Sequence, residues 1–146
     1  MTIHVHNRQR AVPVQLAWLR RLARVALEIC AESSADGRFA LRRLEEIEVA
    51  IVSDRVIARV HERFMNIPGA TDVITFEHGE IVMSAQTAAA HARGYDHGVD
   101  LELALYIVHG LLHLNGYEDA VRSDAARMRR TQERILQACL AQVPTV

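Results

Sequence analysis

The chain has 146 residues, of which 50% are hydrophobic and 24% charged, with a formal net charge of -1. That length suits one domain whose core can hold without disulfides, and the composition excludes a disordered or low-complexity chain. Seventeen basic residues set against eighteen acidic ones exclude a polybasic nucleic-acid arm, so any contact with RNA or DNA has to be local.

All of the basic residues are Arg and none is Lys. This excludes a Walker A phosphate loop and lysine-dependent covalent chemistry. Cys30 and Cys139 stand far apart, outside any CxxC spacing, and read as core thiols in a reducing compartment. The N-terminal stretch has no apolar run after its charges, and no window approaches the roughly 18 uninterrupted apolar residues of a spanning helix. The expectation is one soluble, cytoplasmic domain over residues 1–146, with no membrane contact.

In chain order, Ile3 to Arg8 alternates as a strand does, and Pro13 opens a helix that runs to about Glu32. Leu19, Leu22, Ala26 and Ile29 supply its apolar face, and Ser33, Ser34, Asp36 and Gly37 break it. Glu46 to Val52 reads as a second strand through Ile47, Val49 and Ile51. Ser53 or Asp54 caps a short helix with Val56, Ile57, Val60 and Phe64 on its apolar face. A turn-rich stretch from Asn66 to Ala70 leads into a strand over Asp72 to Glu77. His78-Gly79 then turns the chain into Glu80 to Met83, making a hairpin. Ser84 caps an alanine-rich helix that stops near Gly94, and two helices follow, about Val99 to Leu114 and Ser123 to Ala141. The order βαβαββααα predicts an α+β fold, a small mixed β-sheet covered by helices.

The helix from Val99 to Leu114 carries the chemistry. Two leucine-rich stripes, Leu101, Leu105, Val108, Leu112 and Leu103, Ile107, Leu111, Leu114, lie on different sides of it, so most of it is buried. Between them Glu102, Tyr106, His109 and His113 fall in a wedge of about 60° that is expected to face a cleft. Histidines four residues apart on one helical face can bridge a metal ion. Gly116 can end the helix in a left-handed conformation, after which the chain can deliver Asp119 as a third ligand. His109, His113 and Asp119 therefore have the HxxxHxxGxxH/D spacing of a metzincin-like site, with Gly110 where a peptidase carries its glutamate base. The site thus sits on a buried helix and the turn after it. Glu118 competes with Asp119 as ligand, while His4, His6, His61, His78, His91 and His97 read as surface or turn residues.

Two stretches, HGLLHLNGYED from His109 to Asp119 and TDVITF from Thr71 to Phe76 followed by GEIVMS from Gly79 to Ser84, resemble the bacterial YbeY family of zinc-dependent endoribonucleases. Its patterns are H-G-x-L-H-L-x-G-Y-D-H and P-T-[DN]-V-L-S-F followed by G-[DE]-I. The resemblance is good from about His61 to Leu136 and pattern-level before that. It implies one zinc ion, a single-strand-specific endoribonuclease acting in ribosomal RNA maturation, including the 16S rRNA 3′ end, and in ribosome quality control. Ribosomal RNA and the small ribosomal subunit are the implied partners. Two departures stand out: the family's third histidine falls on Asp119, and the arginine that follows the upstream aromatic falls on Met65. Arg59 and Arg63 are possible replacements as RNA contacts, and Arg127, Arg130 and Arg134 share a helix face that reads either as a phosphate-binding stripe or as solvated charge.

Three protein ligands leave one position open, where zinc lowers the pKa of bound water to about 7 and polarises a phosphoryl oxygen. With no glutamate at Gly110 the base must come from elsewhere, and Tyr117 and Glu118 are the nearest candidates in sequence. The rival readings are a metallopeptidase-like hydrolase, a non-haem iron oxygenase, and a ribosome-associated binding module with a structural metal.

Overall fold

The computed structural model describes residues 1–94 and 98–145; of the histidines read as surface or turn residues, His97 lies outside the described residues. The elements are β1 (Thr2–Asn7), α1 (Leu16–Ala31), a 3-10 turn (Ala40–Arg43), β2 (Glu46–Val52), α2 (Asp54–Met65), β3 (Val73–Phe76), β4 (Glu80–Ser84), α3 (Ala85–Arg93), α4 (Val99–Leu114) and α5 (Arg122–Gln142). This is the α+β fold and the order expected, with the 3-10 turn added. The four strands form one mixed sheet in the order β1-β2-β4-β3. β1, β2 and β4 run parallel, and β3 returns antiparallel at the edge, pairing Phe76 with Glu80 and Val73 with Met83.

The two faces of the sheet are covered unequally. Val5, Ile47, Val49, Ile51, Ile81 and Met83 point into the main core with Leu19, Leu22, Leu103, Ile107 and Leu111 from α1 and α4. Period-2 alternation sends Val52, Ile74 and Val82 to the other face, where Ile57 of α2 meets them. That second cluster is small, and α2 has a correspondingly narrow buried face. Of the apolar stripe expected on α2 only Ile57 is fully buried, and Phe64 is 61% exposed, its ring edge meeting Phe76.

Local chemistry accounts for the helix ends. Ser53 and Ser84 accept hydrogen bonds from the backbone N–H groups of Val56 and Thr87, capping α2 and α3. α1 begins at Leu16, not at Pro13, because Gln9 bonds Val12 through both its N–H and its carbonyl and holds residues 9–12 in a non-helical loop. α4 ends in a Schellman motif: Tyr117 N–H bonds the Leu112 carbonyl and Gly116 N–H bonds that of His113, with Gly116 at φ 96.

The segment between α1 and β2 is bound to this same helix end. Asn115, fully buried, donates from Nδ2 to the carbonyls of Cys30 and Ser33 at 2.8 and 2.9 Å, and its Oδ1 accepts from Leu41 N–H at 3.2 Å. Its backbone carbonyl accepts from Ala35 N–H. Asn115→Leu, nearly isosteric, leaves several of these groups buried and unpaired, and is expected to cost about 2–3 kcal/mol. Thermal denaturation should show a Tm lower by roughly 5–12 °C.

Candidate metal centre

His109 and His113 emerge from the last turns of α4 into a cleft of about 840 Å³. Their Nε2 atoms are 3.0 Å apart, and an Asp119 carboxylate oxygen lies 3.8 Å from the first and 3.4 Å from the second. One donor atom from each of the three lies within 4.8 Å of the others. The turn set by Gly116 brings Asp119 back; the glycine sits at φ 96, where a side chain is strained, and a Cβ there would stand 3.0 Å from the Asp36 carboxylate.

The outer nitrogens of both rings are engaged. His113 Nδ1 lies 2.9 Å from the Tyr117 carbonyl, which can only accept, so that nitrogen carries the proton. His109 Nδ1 lies 2.8 Å from Gln132 Oε1 on α5, which assigns it the same tautomer. Two Nε2 lone pairs are then left facing one another. That arrangement is repulsive unless a cation or a proton sits between them. Tetrahedral zinc with bonds of roughly 2.0–2.1 Å would hold such nitrogens about 3.3 Å apart, close to the spacing here. Burial pushes the His109 imidazole below its ordinary pKa, the neighbouring His113 adds to this, and the Gln132 hydrogen bond opposes it. The neutral, metal-ligating form is therefore favoured at pH 7. The donor set fits a transition metal.

The rest of the predicted wedge does not reach the cleft. Glu102 and Tyr106 are buried, and the Tyr106 hydroxyl lies 2.9 Å from His91 Nδ1 on α3, with the Glu102 carboxylate 3.7 Å from that nitrogen. His91 is thus exposed, as expected, but partnered. His6 and His61 are half-buried and bonded, to Glu48 and to the Gly69 carbonyl. α4 packs against α3 along its first half and opens only at its end, which is why the stripe divides.

Of the two catalytic candidates, Glu118 lines the cleft and is exposed. Tyr117 is buried, its hydroxyl bonded to Ser33 at 2.9 Å and its ring under Arg127, so it serves the site through its backbone carbonyl. Arg59, Arg63, Arg127, Arg130 and Arg134 are all exposed, and none is among the residues that line the cleft. Arg127 bonds the Ala35 carbonyl, Arg63 lies over its neighbour Phe64, and Arg134 borders a separate groove with Glu28 and Glu32. α5 turns Gln132, not its arginines, toward His109. Met65 does line the cleft.

Gly110 faces away from the histidines, toward the sheet. A Cβ there would stand 2.8 Å from Ile81 Cδ1 and 3.1 Å from two further carbons of that side chain. A side chain at this position would have to push the Ile81 side chain aside and would point at the sheet, not at the histidines.

Sequence reasoning missed Gln132 and Arg38. Gln132 is one polar residue in a polar helix, 23 positions from its partner, and nothing local marks it. Arg38 lies in the Ser-, Asp- and Gly-rich stretch read only as a helix breaker, yet it lines the cleft.

The fold and the cluster define a class: an α+β protein with a metal-competent pair of histidines and a carboxylate at the end of an open cleft. The profile of the endoribonuclease YbeY family matches residues 4–140. The endoribonuclease YbeY of Thermobifida fusca is 31% identical, over 93% of this chain and 92% of that protein, and its Synechococcus counterpart is 30% identical over 84% of each. A solution structure from Thermotoga maritima shares the fold with a TM-score of 0.65, covering 96% of this chain and 90% of that one at 22% identity. The chain belongs to the YbeY family, and so to the metal-dependent endoribonucleases.

Hydrogen bonds to the outer nitrogen of a ligating histidine typically contribute 10- to 100-fold in metal affinity. Gln132→Leu is expected to weaken metal binding by about that factor while leaving the fold intact. Competition with a chromogenic chelator, beside circular dichroism, checks both.

Proposed function

We propose that this protein is a zinc-dependent, single-strand-specific endoribonuclease that cuts ribosomal RNA precursors, the 16S rRNA 3′ end among them, and acts in ribosome quality control. The reading includes a single cytoplasmic domain working on or near the small ribosomal subunit. Family membership supports the reaction class. The observation that carries the mechanism is the pair of Nε2 atoms facing each other 3.0 Å apart at the end of the cleft. Among the described residues, no helix is long and apolar enough to cross a membrane.

His109 and His113 would hold the ion through Nε2, oriented by Gln132 and the Tyr117 carbonyl, and Asp119 would supply a carboxylate oxygen. Zinc bound there supplies a water that ionises near neutral pH and an electrophile for a phosphoryl oxygen. Glu118 is the group we assign to take the proton of the attacking water: it lines the cleft, precedes the third ligand, and makes no interaction with the described residues. Its carboxylate can then return that proton to the leaving oxygen. Because the base stands on the turn and not on the helix, the site differs from a peptidase in the direction from which the proton is removed.

Two sets of variants test this reading. Asp119→Ala should lose most bound zinc and with it cleavage of a single-stranded RNA, whereas Asp119→His should keep both; elemental analysis beside a gel assay reads the result. Equal zinc content in the wild type and Asp119→Ala would remove Asp119 as a ligand. Glu118→Gln, by contrast, should retain zinc and fold but lower kcat by roughly 10²- to 10⁴-fold, the usual range for a lost general base. A kcat within twofold of the wild type would exclude that role.

A further inference from the structure

The lining of the cleft is electrostatically one-sided. Asp36, Asp72, Glu77, Glu118 and Asp119 contribute carboxylates, and Arg38 is the one guanidinium among the described lining residues. A nucleic-acid strand entering such a cleft is repelled wherever no cation offsets those charges. Apart from a cation that the histidines could hold, Arg38 is, among the described lining residues, the one place where a phosphate can be neutralised.

Arg38 is also available. Its side chain is exposed and makes no hydrogen bond or close ion pair with the described residues; its charge acts on the Asp36 carboxylate only through space, as a minor part of what holds that group down. Neighbouring arginines are committed: Arg42 pairs with Glu32 at 3.0 Å, donates to the Ala31 carbonyl and covers the Phe39 ring, and Arg127 bonds the Ala35 carbonyl. A planar guanidinium with all its donors unengaged suits a phosphodiester oxygen pair.

The backbone that carries it is held in place. Ser34 Oγ accepts from the N–H groups of Gly37 and Phe39 at 3.1 and 3.2 Å, and Asp36 Oδ1 accepts from Arg38 N–H at 3.0 Å. Phe39 adopts a left-handed conformation at φ 51. Asn115 ties both ends of this loop to the end of α4, next to the metal-binding turn. The guanidinium therefore starts from a fixed point relative to His109 and His113.

We propose that Arg38 is a substrate-binding residue of this cleft, its guanidinium holding a phosphate of the RNA strand whose scissile linkage lies at His109, His113 and Asp119. The proposal rests on the endoribonuclease reading and adds the contact that orients the strand. It uses no metal bond, so strand binding should respond to Arg38 independently of zinc content.

The test uses the full zinc-loaded chain and a fluorescent single-stranded 2′-O-methyl oligonucleotide, which binds without being cut, with an unmodified strand of the same sequence for kinetics. Arg38→Gln is expected to raise the Kd roughly 5- to 10-fold, as loss of one charge-assisted contact does. The slope of log Kd against log salt should shrink by about 0.7, the share of one phosphate on a single strand. KM should rise with kcat nearly unchanged, zinc content and Tm should stay at wild-type values, and Arg38→Lys should recover part of the affinity. Arg24→Gln, on the exposed side of α1, is the control expected to change nothing. Wild-type affinity and salt slope in Arg38→Gln would overturn the proposal while leaving the endoribonuclease reading intact. Loss of zinc or of fold in both Arg38 variants would overturn it too, by making the residue structural. A wild-type chain that holds zinc yet neither binds nor cuts RNA would instead defeat the functional reading, and this proposal with it.

Discussion

Asn115 has no exposed surface, and its side-chain amide bonds three backbone groups lying 74 to 85 residues earlier in the chain. In a dry interior each of those carbonyl and N–H groups would carry a desolvation cost if left alone. One amide thus joins the end of α1, the loop before the 3-10 turn and the end of α4 into a rigid unit. The wall of the cleft formed by Asp36, Arg38 and Ala40 is held to the histidine-bearing helix through it. The Gly116 turn that follows can then place the Tyr117 carbonyl against His113 and Asp119 against both rings without independent support.

The second organising feature is the charge arrangement at the end of α4. Two half-buried imidazoles with protons assigned to their outer nitrogens point lone pairs at each other, and a carboxylate closes the third side. Such a cluster could hold a cation, its orienting bonds coming from a helix and a turn that packing already fixes. Beyond it the cleft is acidic. Asp36, anchored by Arg38 N–H and Ser34, is held below the ordinary carboxylate range, chiefly by that backbone bond, and stays ionised at neutral pH. A cleft of this polarity offers few places where an anion can rest.

Packing of α4 against the sheet decides a chemical question as well. Gly110 stands between the two histidines in sequence but on another side of the helix, pressed on Ile81. The same close approach that buries Leu103, Ile107 and Leu111 leaves a side chain there in collision with Ile81. Buried cysteines take no part: burial raises the Cys30 thiol far above its usual range and pushes Cys139 up to about 11.

Much of this was legible in the sequence because it rests on local periodicity. Alternation in β2, serine caps before α2 and α3, two leucine stripes on α4 and the four-residue spacing of His109 and His113 are short-range patterns, and each folds as its pattern predicts. The glycine that ends α4 and the carboxylate three residues beyond it are equally local. What the chain folded in three dimensions decided was every relation between distant segments. Periodicity shows that a helical face is apolar but not how much of it another layer covers, so the exposure of Phe64 and the turning of Glu102 and Tyr106 toward α3 were not readable. Nor could spacing reveal that Gln132 meets His109, that Tyr117 faces Ser33, or that Arg38 shares a cleft with residues more than seventy positions away. Those pairings follow from how α5 and the 33–41 loop pack on α4, an outcome of shape and buried hydrogen bonding summed over the whole core, which no single stretch of sequence carries.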